Sequence, residues 1–166
     1  MNFMFRLIIG MFFVLWPIHS QACQCLELAL EDRVSNATAV LTGSVEDIVT
    51  LPQYIKDTLT DRPVMVRIKS VDVFKGASHL DKDGTIILYT NLQNITCSGH
   101  PFQVDESYLV FVYQRKQDAP EHWSLYNYPS ETYGVGGRCG GTKNLKSDLA
   151  TQDILELQSL KKRLRR

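Results

Sequence analysis

The chain has 166 residues, with 18 Lys and Arg against 18 Asp and Glu, a formal net charge of zero and 44% hydrophobic residues. That length fits one domain with a single core. The balanced charge gives no electrostatic reason to expect a nucleic-acid or membrane-surface partner.

Arg6 precedes an apolar run, Leu7 to Ile18 (LIIGMFFVLWPI), which Pro17 and the polar His19-Ser20-Gln21 interrupt. Ser20-Gln21-Ala22 has the small-x-small form accepted by signal peptidase, so residues 1–22 read as an export signal cut between Ala22 and Cys23. The apolar run is shorter than the roughly 20 residues a membrane-spanning helix needs. A cysteine directly after the cut is also where bacterial lipoproteins are acylated, although Ser20 stands where such signals carry a Leu-like residue. Removal of Arg6 with the signal leaves a net charge near minus one. All four cysteines, Cys23, Cys25, Cys97 and Cys139, remain. An even count in an exported chain reads as two disulfides. A C-x-C pair seldom closes on itself because the ring is strained, so Cys23 and Cys25 are each expected to reach one of the distant pair.

Leu26 to Arg33 predicts a short helix closed by Ser35-Asn36. Five extended segments follow: Ala39 to Val49, Val64 to Lys75, Gly84 to Asn91, Tyr108 to Gln114 and His122 to Tyr128. Each is rich in β-branched and aromatic residues, and turns such as Lys75-Gly76, Asp83-Gly84 and Asp118-Ala119-Pro120 separate them. Leu51 to Pro63 reads as a long connection. Ser147 is placed to cap a last helix with apolar positions Leu149, Ile154, Leu157, Leu160 and Leu164. The predicted fold is mainly β: an OB-like five-stranded antiparallel barrel with a short N-terminal helix and a C-terminal helix, a two-sheet sandwich being the alternative. Residues 23–166 form one domain on this reading.

Enzymatic signatures are missing: no G-x-S-x-G, H-E-x-x-H or phosphate-loop pattern occurs. His79 falls in a polar loop, and His100 and His122 in the strand region, where structural roles are expected. Cys23, Cys25, Cys97 and His100 match the ligand types of a structural zinc site, but export favours disulfides over thiolate ligands. The glycine-rich stretch Gly134 to Gly141 is expected to turn the chain closely around a disulfide at Cys139. Lys161 to Arg166 reads as a helix C-terminus carrying cations that its dipole favours, in preference to a heparin or lipid patch. Asn36 and Asn94 lie in N-glycosylation sequences.

Taken together, the signal ending at Cys23-Gln-Cys25, Ala39-Val-Leu-Thr-Gly-Ser-Val, Val66-Arg-Ile-Lys-Ser-Val-Asp-Val-Phe-Lys-Gly76, Ile95-Thr-Cys97, Tyr108-Leu-Val-Phe-Val and Cys139 before a helix form a pattern. It resembles the N-terminal inhibitory domain of the tissue inhibitors of metalloproteinases, of the netrin-like, OB-fold group. The resemblance spans nearly all of the chain after residue 22, and C-x-C at the cleavage point is its most specific part. It implies disulfides Cys23–Cys97 and Cys25–Cys139, and a secreted, non-enzymatic inhibitor whose partner is a zinc metalloprotease. In such an inhibitor the α-amine and carbonyl of Cys23 chelate the target's catalytic zinc. Gln24 faces the specificity pocket, and Cys25, Leu26, Glu27, Ile95 and Thr96 flank the cleft. The chain itself is expected to be a monomer with no cofactor, no metal of its own, no nucleic-acid partner and no membrane span. The alternative function is a netrin-like extracellular or periplasmic binding module without protease inhibition.

Overall fold

Why should one strand, Tyr108-Leu-Val-Phe-Val, be apolar at every position? The computed structural model answers this by burying it on both faces. The structure describes residues 28–51, 63–92, 99–115, 128 and 131–164. Six strands are present among them: β1 (Ala39–Thr50), β2 (Pro63–Lys75), β3 (Thr85–Asn91), β4 (Ser107–Gln114), β5 (Tyr133–Val135) and β6 (Lys143–Asn144). Two helices flank the sheet, α1 (Leu30–Asn36) and α2 (Asp148–Leu164).

The first five strands close into an OB-like barrel. β1 pairs antiparallel with both β2 and β4, β2 with β3, and β4 with β5. The last seam, β3 to β5, runs parallel through Leu88 and Tyr133, so the barrel is mixed. β1 makes closure possible. Its residues 39–44 are hydrogen-bonded to β4 on one edge and to β2 on the other, with register shifts against β2 at Val40/Leu41, Thr42/Gly43 and Val45/Asp47. Such irregularities let a strand coil between two parts of a sheet.

Alternation along β1 and β4 sorts their side chains into two cores. Leu41, Val45, Tyr108, Val110 and Val112 point into the barrel, where they meet Val64, Val66, Ile68, Ile86, Leu88 and Phe102. Val40, Leu109 and Phe111 point outward, beneath Leu30 and Ala37 on one side and Leu157 on the other. A strand covered on both faces reads as a continuous apolar run instead of an alternating one.

The N-terminal helix lies further along the chain than Leu26 to Arg33. Leu28 and Ala29 are non-helical, and α1 continues through Ser35 and Asn36. The outer core explains the shift, because Leu30 and Val34, one turn apart, both pack into it while Leu28 stays about half exposed. Lys75 Nζ then binds the Val34, Ser35 and Ala37 carbonyls at 2.8, 2.9 and 2.6 Å, neutralising the helix's C-terminal end.

In α2 the Ser147 carbonyl accepts from the Ala150 and Thr151 amides, as expected of the residue that starts a helix. The inward stripe is Ala150, Asp153, Ile154 and Leu157, with Leu160 partly buried. Leu149 does not belong to it: the side chain is 59% exposed, and its neighbour Ala150 is the residue that packs.

The expected fifth strand falls outside the described residues except at its last position. Of His122 to Tyr128 only Tyr128 is described, and it belongs to no strand. The barrel's fifth place is taken by Tyr133–Val135. Propensity misses it because two glycines flank Val135. The segment pairs nonetheless through Tyr113 with Gly134 and Gln114 with Tyr133, reinforced by the Arg115 amide on the Thr132 carbonyl at 2.9 Å. Of the connection Leu51 to Pro63, residues 52–62 lie outside the described residues, and Pro63 already belongs to β2.

Candidate functional site

The residues named for the site, Cys23, Gln24, Cys25, Leu26, Glu27, Ile95, Thr96 and Cys97, lie outside the described residues. So do the export signal and Asn94. What the structure places is the frame that bears them: the start of α1, the two flanks of residues 93–98, and the loop carrying Cys139.

The Cys139 loop interrupts an edge of the sheet. β5 and β6 both run antiparallel to β4, with Val135 opposite Val112 and Lys143 opposite Leu109. Between them the chain leaves the sheet over residues 136–142. Within this excursion Gly137–Cys139 form a short 3₁₀ turn, and Gly137 and Gly141 adopt positive φ of 61° and 84°. Gly136 and Gly140 touch so closely that a Cβ on Gly140 would stand 2.5 Å from the Gly136 Cα. Tyr113 Oη donates to the Gly140 carbonyl at 3.2 Å, and Thr142 Oγ1 accepts from the Phe111 amide at 3.2 Å. This tight loop leaves Cys139 exposed at its tip, and Cys139 is disulfide-bonded. Its partner lies outside the described residues. The expectation that these glycines turn the chain around a disulfide holds.

The base of residues 93–98 is pinned at both ends. The His100 amide donates to the Asn91 carbonyl at 3.0 Å. Tyr128 Oη reaches the Thr90 carbonyl at 2.8 Å and Asn91 Oδ1 at 2.7 Å. Arg115 stacks on the Tyr128 ring, its Cζ 4.0 Å from the centroid, while Nη2 donates to the Tyr89 carbonyl at 3.1 Å. Burial lowers the Arg115 pKa from its ordinary value. Three segments distant in sequence thus meet at the end of β3.

α1 is tethered by charge as well as by packing. Arg33 forks onto Asp153, with Nη1 3.1 Å from Oδ2 and Nη2 3.4 Å from Oδ1, and its Cζ lies 5.3 Å from the Phe111 ring centroid. Lys143 Nζ reaches the same carboxylate at 2.6 Å. Asp153 is only 9% exposed. This cluster escaped the sequence reading, though the pattern held a signal: a carboxylate at position 153 interrupts the apolar stripe of α2. At the far end of α2, Lys161 binds Asp72 Oδ1 at 3.2 Å and the Val73 carbonyl at 2.8 Å, and Arg163 faces Glu31 at 3.7 Å. The basic C-terminus is therefore partly spent on the molecule itself. Elsewhere Glu106 is held below its ordinary pKa by the Lys146 ammonium and the Asn144 amide.

The histidines take structural positions. His79 Nδ1 is 3.0 Å from Tyr133 Oη. His100 packs against Phe102 and Tyr108, with ring centroids 4.7 and 5.4 Å away, and burial pushes its pKa down from 6.5 to about 4. His122 lies outside the described residues. No group of three or more metal-ligating side chains occurs among the described residues, and no helix there is long and apolar enough to cross a membrane.

A pH dependence follows from His100. Its folded-state pKa is depressed, so between pH 6.5 and about 4 the unfolded chain binds a proton that the folded chain refuses. Stability is therefore expected to fall as pH drops through that window, by an upper bound of ~3 kcal/mol at one pKa unit per 1.36 kcal/mol. Urea midpoints of wild type and His100→Leu at pH 7 and pH 4.5 measure it. Parallel loss in the two proteins would assign the acid sensitivity to other groups.

Compared with known proteins, the chain matches no protein-family model and no curated protein sequence.

Proposed function

We propose that the protein is a secreted inhibitor of zinc metalloproteases whose reactive group is the mature N-terminus at Cys23. The observation that carries this reading is the placement of Cys23, the first cysteine of a C-x-C pair, directly after the Ala22 cleavage position. An OB-like barrel and a disulfide-bonded Cys139 are what such a chain requires, and they support it.

The chemistry is elementary. An α-amine has a pKa of roughly 7.7 to 8.0, so a useful fraction is unprotonated near neutral pH, and a zinc ion displaces the remaining proton. The amine nitrogen and carbonyl oxygen of Cys23 close a five-membered ring on the metal and exclude the water needed for hydrolysis. Disulfides Cys23–Cys97 and Cys25–Cys139 hold the segment in its binding conformation, which reduces the ordering cost of association. Gln24 enters the pocket beside the zinc, and Leu26, Ile95 and Thr96 complete the contact surface. A netrin-like binding module without inhibition is the second reading, favoured by Gln24, which is longer than the Thr or Ser usual in the inhibitor family.

Mass spectrometry of the mature N-terminus and assay against a panel of metalloproteases test the proposal. The expected result is a free amine on Cys23 and inhibition of at least one enzyme. An acylated Cys23, or cleavage at any other bond, overturns it. A free amine with no inhibition across the panel favours the binding module.

A further inference from the structure

The polar groups around Asp153 join segments that are remote in sequence. Arg33 sits in α1, the element that follows Cys25, and Lys143 sits in β6, the element that follows Cys139. Asp153, on the inward face of α2, holds both cations on one carboxylate, at 3.1 and 2.6 Å through Oδ2. All three side chains are largely buried, with 15%, 23% and 12% exposure for Arg33, Lys143 and Asp153. Removing one partner from a buried ion pair is costly because the survivor is left uncompensated, so such a pair holds its elements in one arrangement.

α1 has only two turns, and no side chain caps its N-terminus. Lys75 secures its C-terminal carbonyls, and Leu30 and Val34 secure its inner face. Arg33 is the ionic tie between α1 and α2 that is buried; the Glu31–Arg163 pair is exposed on both sides. A Cβ on Gly141 would stand 2.9 Å from Arg33 Nη1, so the guanidinium lies directly against the loop that carries Cys139.

We infer that Asp153 is a positioning residue for α1, acting through Arg33 and Lys143 as an ionic staple that holds this helix against α2 and β6 beside the disulfide-bonded Cys139 loop. What the held helix presents rests on the inhibitor reading; the staple does not.

Amide hydrogen exchange on the full mature chain tests it without a protease. In Arg33→Gln the Asp153 carboxylate keeps Lys143 as its partner, so the fold survives. Amides of residues 33–37, which carry the hydrogen bonds of α1, are expected to exchange at least about tenfold faster, while the Val110 and Phe111 amides of β4 keep wild-type rates. Asp153→Asn should give the same local pattern, and Asp153→Glu should restore part of the protection. Unchanged exchange in α1 overturns the inference. So does equal acceleration in α1 and β4, which would mark a contribution to global stability alone. Against a protease that the wild type inhibits, Arg33→Gln should weaken binding about tenfold with the barrel's thermal midpoint little changed. If the wild type inhibits nothing while α1 still loosens, the inhibitor reading fails and the staple stands.

Discussion

If the protein inhibits a metalloprotease through Cys23 as proposed, a chain bearing one extra residue ahead of Cys23 is expected to lose at least about a hundredfold in affinity for that enzyme, ~2.7 kcal/mol. The extension converts the terminal amine into an amide nitrogen, whose lone pair is delocalised into the carbonyl and no longer binds zinc. It also places an additional residue where the metal must sit. The fold is expected to be indifferent, because the two cores and the strand ladders of the described residues are complete without that group. Inhibition constants and thermal midpoints of the two proteins, measured side by side, separate the effects. Equal inhibition by the extended chain would rule out chelation, and a fall in both quantities would mean that the extension had disturbed the fold.

Gly43→Val is expected to be the most damaging single change in the barrel, at ~3 kcal/mol. Gly43 lies where β1 is bonded on both edges, opposite Ser70 of β2 and Tyr108 of β4. Even a Cβ there would stand 2.5 Å from the Lys69 carbonyl oxygen and 2.7 Å from Ile68 Cγ2. The oxygen belongs to the backbone and cannot swing aside, so β1 must move away from β2. A drop in thermal midpoint of about 10 °C is the corresponding observable. A midpoint within two or three degrees of wild type would mean that the strand relaxes more cheaply than this crowding implies.

The first four strands are legible in the sequence because each is a stretch of β-branched and aromatic residues ended by turn residues. β5 is not legible, because its three residues include a glycine and their pairing depends on Arg115, Tyr113 and Gln114, distant in sequence. Local propensity carries no trace of that seam. The shift of α1 has a similar origin: Leu26, Leu28 and Leu30 are alike as letters, and only the outer core distinguishes Leu30 from Leu28. Leu149 misleads for the same reason, since helical spacing defines a stripe but not which edge of it faces inward. Cys139 was legible from cysteine count and glycine context. The Asp153 cluster was hidden because its three members lie up to 120 positions apart. The remaining site residues were proposed from the pattern at Cys23, and the described residues supply only their supports.

β4 has a mechanical consequence. It is bonded to β1 along one edge and to β5 and β6 along the other, and Phe111 on its outer face underlies Arg33. A pull on α1 is handed to β4, which among the described residues is the strand that three neighbours grip from both sides. The load is shared among three ladders in shear, and no single row of bonds is peeled open. α1 is thus mounted on the strand that, among the described residues, is held along both edges by three ladders at once.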